Sequence, residues 1–126
     1  MNASAQSGSF GDLTVMVVED ETIVAFLVED MLTELGCREI MMASGVAEAL
    51  ALLGERRPGA AVLDVNLAGE PAYLVAERLA AMQVPFLFAT GYGRASIPAH
   101  WAPRPVIQKP FTVDMLAAAL KQVLRA

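Results

Sequence analysis

Six polar residues punctuate an otherwise apolar chain: Glu19 and Asp20, Asp64, Asn66, Thr90 and Lys109. They fall late in, or just after, four short apolar runs: LTVMVVED (13–20), AAVLDVNL (60–67), VPFLFAT (84–90) and PVIQKPF (105–111). Their chemistry is complementary. Asp20 and Asp64, with Glu19 alongside, supply hard oxygen ligands for a divalent cation, and Mg2+ takes one or two carboxylates while keeping waters and phosphate oxygens. Three acids gathered without a cation would repel and raise one another's pKa. Lys109 offers a point charge to one phosphate oxygen, and Thr90 a hydroxyl donor to another. A carboxylate then remains as a nucleophile, a use for which aspartyl-phosphate chemistry is established.

Each residue alone has an ordinary explanation. An acidic pair after a strand suits the start of a helix, where the dipole favours negative charge. Asp64 and Asn66 suit turns through their own side-chain bonding. Thr90 is a β-former, and Lys109 reads as a solvated charge. The joint pattern outweighs these explanations, because the groups share one end of several different strands.

The elements that must position them alternate between extended and helical. ETIVAFLVEDMLTELG (21–36) carries Ile23, Leu27, Met31 and Leu35 near the helical period, and Gly36 is a helix stop. EIMMA (39–43) reads as a short strand, after which Ser44 caps a helix through Leu53, with Glu48 in its early turns. Pro71 suits the first turn of a helix running to about Met82. The segment 93–105, GRASIPAHWAPRP, contains prolines that keep any helix there short or irregular. Thr112 caps a final helix. Repeated strand–helix alternation implies an α/β fold with a parallel sheet covered on both faces. Right-handed crossovers restrict its topology, and ligands in such sheets sit beyond the carboxyl ends of the strands.

Length and composition bound the rest. The 126 residues make one domain, and 56% hydrophobic content is enough for a full core. A net charge of −5 argues against nucleic acid or an anionic membrane as a direct partner. Cys37 is the sole cysteine, so no internal disulfide forms; it reads as a small buried hydrophobe in a reducing cytoplasm. No apolar run is long enough to span a membrane. Residues 1–11 lack a basic n-region and read as a flexible leader, with the domain at 12–126.

The stretches VVED (17–20), LDVNL (63–67), FATGY (88–92) and QKPF (108–111), in this order and spacing, resemble response-regulator receiver domains of two-component signalling over about residues 13–125. That resemblance implies a flavodoxin-like, doubly wound, five-stranded parallel sheet of order 2-1-3-4-5 with about five helices, the fourth short or irregular. It implies that Asp64 accepts a phosphoryl group from a sensor histidine kinase. Glu19, Asp20, Asp64 and the backbone carbonyl of Asn66 would hold Mg2+, with Mn2+ or Ca2+ as substitutes. Thr90 becomes the switch hydroxyl and Lys109 the phosphate-binding cation. A cis peptide is expected at Lys109–Pro110.

The stretch PFLFATGY (85–92) is similar to the FATGUY-type variant, whose members are often single-domain receivers. Like that variant, the chain has a small residue, Val106, where many receivers carry a fifth-strand aromatic. The switch is therefore expected in the Gly91-Tyr92-Gly93 loop and the irregular 94–104 segment, with Tyr92 either a reporter or a static lid. Trp101 either faces a partner or packs against the last helix, and His100 is exposed. The expected product is a monomeric, stand-alone phosphoacceptor with slow self-dephosphorylation, not a turnover enzyme. It would signal to an unidentified effector by protein contact.

Rival readings are a phosphorylation-independent docking module, a phosphate sink for a kinase, a phosphoester hydrolase and a nucleotide-binding protein. The intact acids, Thr90 and Lys109 disfavour the docking module. The hydrolase lacks a second carboxylate two residues past the nucleophile, where Asn66 stands. The nucleotide binder lacks a glycine-rich phosphate loop.

Overall fold

Alternate residues of β1 (Thr14–Val18) point to opposite faces, and both faces are buried. Four of its five residues are β-branched, which favours the extended backbone. Val15 and Val17 enter one hydrophobic cluster; Met16 and Val18 enter another. β3 (Ala60–Asp64) and β6 (Phe86–Thr90) are buried at every position, as strands covered on both sides must be. With β2 (Glu39–Ala43) and β7 (Val106–Gln108) they form a parallel sheet of order β2-β1-β3-β6-β7. Counted in chain order among themselves, the five strands run 2-1-3-4-5, as expected. The computed structural model describes residues 10–67, 70–92, 97–101 and 103–125.

Helices α1 (Thr22–Glu34) and α4 (Val113–Arg125) cover one face through Val28, Leu32, Leu116 and Leu120. Helices α2 (Val46–Glu55) and α3 (Tyr73–Ala81), with a 3-10 turn at Ala99–Trp101, cover the other. Each fully buried leucine contributes about 1.5–3 kcal/mol. The described residues thus hold four α-helices and one 3-10 turn where about five helices were expected. Among the described residues of the proline-rich connection, Ala99–Trp101 form that turn, in keeping with the short or irregular fourth helix expected there. No helix among the described residues is long and apolar enough to cross a membrane.

Several local expectations are corrected. The buried stripe of α1 is Ala25, Val28 and Leu32, whereas Ile23 is 77% and Leu27 53% exposed. The first half of this helix is apolar nearly all round, so period alone does not choose the face. Pro71 lies in a two-residue hairpin, β4 (Asn66–Leu67) with β5 (Glu70–Pro71), and α3 begins two residues after it. Gly45, not Ser44, is the N-cap of α2; the Ser44 N–H and hydroxyl donate to Glu48 Oε1 at 2.7 and 2.9 Å instead. Phe10, read as leader, is buried in the α1–α4 cluster.

Other joints follow expectation. Thr112 Oγ1 accepts from the Met115 N–H at 3.2 Å at the start of α4. Gly36 ends α1 with φ 86°, while Cys37 N–H bonds Leu32 O and Gly36 N–H bonds Thr33 O. The same six-residue motif closes α3 at Gln83 with φ 59°, a left-handed conformation that costs a side chain energy. The Arg57 guanidinium then donates to the Met82 and Gln83 carbonyls at 3.3 and 2.7 Å. Lys109–Pro110 is cis.

Candidate functional site: an acidic cluster at the sheet's carboxyl edge

Strand register brings the polar ends together. Val18 pairs with Leu63, Asp64 with Ala89, and Thr90 with Gln108, so the next residues of four parallel strands emerge at one edge. Backbone bonds continue past the strands: Glu19 N–H to Ala43 O, Val65 N–H to Ala89 O, and Lys109 N–H to Thr90 O.

Glu19, Asp20 and Asp64 each offer an oxygen within 4.8 Å of the others. Glu19 and Asp64 are buried, Asp64 at 7% exposure, and Asp20 is half-buried. Lys109 Nζ stands 2.8 Å from Glu19 Oε1 and 3.3 Å from Asp64 Oδ1. Glu19 Oε2 accepts the Glu21 N–H at 3.1 Å, which fixes its carboxylate plane at the start of α1.

Burial chiefly, then the Glu19 charge, push the Asp64 carboxyl up to about 7, against the opposing pull of Lys109. Burial alone would lower the Lys109 ammonium; its hydrogen bond to Glu19 and the charges of Asp64 and Glu19 outweigh that and hold it above its usual range. The mutual strain expected of gathered acids is therefore present at Asp64. Oxygen-only donors around a half-dry edge suit a hard divalent cation.

A cleft of about 250 Å³ opens beside the cluster, lined by Asp64, Asn66, Thr90, Gly91, Tyr92 and Lys109, together with Glu21 and Val65. Every anticipated site residue among the described residues thus borders one edge; Gly93 lies outside the described residues. Glu21 was read only as helix, although its place in the unbroken run Glu19–Asp20–Glu21 was a usable signal. A larger cleft of about 480 Å³, lined by residues including Pro85, Phe86, Arg104 and Val123, opens by the residues that lead into β6 and β7, at the other end of the sheet, and no acid lines it.

Two loop details modify the expected switch. Thr90 Oγ1 accepts the Tyr92 N–H at 3.1 Å, so the buried hydroxyl is already coupled to the loop. Tyr92 is 80% exposed at the cleft rim, not packed across it. Gly91 does not adopt a positive φ, and a Cβ there would meet open space, so its conformational freedom is unused in this state.

A doubly wound parallel sheet with three acids, a hydroxyl and a lysine at its carboxyl edge is the arrangement that the resemblance to receiver domains implied. The chain matches the response regulator receiver domain family over residues 15–121 and belongs to it. PhyR, the phyllosphere-induced regulator of Methylorubrum extorquens, is 30% identical over 115 residues, covering 87% of this chain and 43% of that protein. The chain spans less than half the length of the curated relatives it matches. The solution structure of SdrG from Sphingomonas melonis Fr1 is 43% identical with a TM-score of 0.81, over 90% of this chain and 98% of that one. The solution structure of the BeF3-activated conformation of SdrG from Pseudomonas melonis Fr1 is 42% identical with a TM-score of 0.78, over 91% and 99%.

Proposed function

We propose that this receiver accepts a phosphoryl group on Asp64 from a sensor histidine kinase and signals by protein contact in its loaded state. The observation that carries the reading is the buried Asp64 carboxylate, 3.3 Å from the Lys109 ammonium and within one cation's reach of Glu19 and Asp20. Glu19, Asp20, Asp64 and the Asn66 carbonyl would hold Mg2+. Bound there, Mg2+ favours the ionised form of Asp64 and neutralises charge on the phosphoryl oxygens.

An Asp64 oxygen attacks phosphorus in line. The P–N bond to the donor imidazole breaks, and the imidazole departs with the bonding pair and takes up a proton. An acyl phosphate remains on Asp64. Lys109 donates to one phosphoryl oxygen. The Thr90 hydroxyl, which accepts from Tyr92 N–H, donates its own proton to another. Positioning and charge stabilisation do the catalytic work, as in other phosphoryl transfers. Attack of water on the acyl phosphate resets the domain, so the chain is a phosphoacceptor rather than a turnover enzyme.

The compartment is the cytoplasm, and an effector protein reads the loaded state. The BeF3-activated conformation described for SdrG supports loading of the same kind here. The test is incubation with acetyl phosphate and Mg2+, followed by intact mass. A labile phosphate adduct on wild type and none on Asp64→Ala is expected. No adduct on either, with no beryllofluoride binding, would leave a phosphorylation-independent docking module.

A further inference from the structure

The last sheet strand carries the small residue Val106, and the rings of the cluster it borders come from outside that strand. Val106 pairs in register with Phe88, and both border the α2–α3 cluster. The ring above them is Trp101, 5% exposed, from the 3-10 turn. Its indole meets Phe88 at 6.2 Å and Phe86 at 5.8 Å, edge to face. Both expected readings of Trp101 are thereby corrected: it neither faces a partner nor packs with α4, whose apolar face lies in the opposite cluster.

This seat is linked to the site. Phe86, Phe88 and Thr90 alternate along β6, so they share one face of the strand. The indole therefore rests on the same strand face whose last residue carries the switch hydroxyl. The seat is also imperfect. Trp101 Nε1 is buried without a hydrogen-bond partner, alone in this among side-chain atoms of the described residues. A buried donor left unpaired is costly, and exposure to water relieves it. The Arg104 guanidinium stacks at 4.6 Å over Phe86 and 5.0 Å over Trp101, holding the turn down from outside.

We propose that Trp101 is a positioning residue for Thr90: its indole packs on Phe86 and Phe88 in the cluster that Val106 borders, holds the β6 end in the unloaded arrangement, and leaves that seat when Asp64 is loaded. The switching half rests on the phosphoacceptor reading. When a phosphoryl oxygen draws the Thr90 hydroxyl toward Asp64, the β6 end shifts under the indole. The seat is then lost, and the indole N–H gains water. A ligand biases a conformation only through such differential contacts.

Trp101 is the sole tryptophan, so emission reports on it alone. The experiment adds Mg2+ and beryllofluoride to the whole chain and reads two signals: fluorine resonance for bound beryllofluoride, and tryptophan emission with acrylamide quenching. With beryllofluoride bound, emission should move to the red and quenching rise several-fold. Bound beryllofluoride with unchanged emission and quenching overturns the inference and leaves the phosphoacceptor reading intact. Absence of bound beryllofluoride counts against the phosphoacceptor reading and removes the switching half. The seat is judged separately by Val106→Phe, folded by circular dichroism and unloaded. Its added ring should displace the indole and reproduce the red-shifted, quenchable emission. A folded Val106→Phe with wild-type emission overturns the seat.

Discussion

Lys109 Nζ lies 3.3 Å from Asp64 Oδ1, so the cation proposed to meet a phosphoryl oxygen already sits against the proposed nucleophile. Its second contact, 2.8 Å to Glu19, makes it a stand-in for positive charge within the acid cluster. An incoming divalent cation must share these carboxylates with it. Lys109→Ala should therefore bind Mg2+ several-fold more tightly by calorimetry. It should nevertheless lose about a hundredfold in phosphorylation rate, as expected when one charged transition-state donor is removed. Wild-type phosphorylation by this variant would contradict the assigned role.

Asp64 gives the metal-free protein a definite pH dependence. Its carboxyl rises from 3.8 to about 7 on folding. Below the lower value the group is neutral in both states and contributes nothing. Between the two, the unfolded chain releases a proton that the folded chain keeps, so Asp64 lowers stability as pH rises, up to about 7. Asp64→Asn should match wild type near the acid end. It should exceed wild type by about 1–2 kcal/mol in metal-free urea unfolding at alkaline pH. Saturating Mg2+ should narrow the gap by stabilising wild type. A difference independent of pH would refute the raised carboxyl.

Gln83 holds φ 59° at the end of α3, where its carbonyl receives Arg57 at 2.7 Å. The side chain there works against the backbone. Gln83→Gly should raise stability by about 0.5–1 kcal/mol in urea unfolding with an unchanged m-value. Loss of stability would show that the side chain, not the backbone, matters there.

Gly91 tests the loop beside Thr90. A Cβ meets open space in this state, so Gly91→Ala should leave the unloaded fold and Mg2+ affinity unaltered. If loading takes Gly91 to positive φ, the alanine weakens beryllofluoride binding several-fold. Equal binding by both proteins would remove Gly91 from the switch.

The convergence of the candidate site residues was legible because a parallel sheet turns sequence-distant strand ends into neighbours. Glu19, Asp64, Thr90 and Lys109 needed only the alternation of strands and helices to be brought together. The α1 face was not legible: Ile23 and Leu27 have the right period, but the smaller Ala25 with Val28 and Leu32 fits against the sheet. Pro71 misled because proline suits a hairpin strand at a sheet margin as well as a first helical turn. Trp101 was illegible for a different reason. Its seat is formed by two rings in β6, a relationship among distant positions that no local pattern carries.

The most direct test locates the phosphoryl group. After reaction with acetyl phosphate and Mg2+, borohydride reduction converts an acyl phosphate on aspartate to homoserine, which peptide mass spectrometry places in the chain. Homoserine at position 64 alone, and none when Mg2+ is chelated, is the expected result. Reduction at another acid, or none anywhere with Mg2+ present, would contradict the assignment of Asp64 as phosphoacceptor.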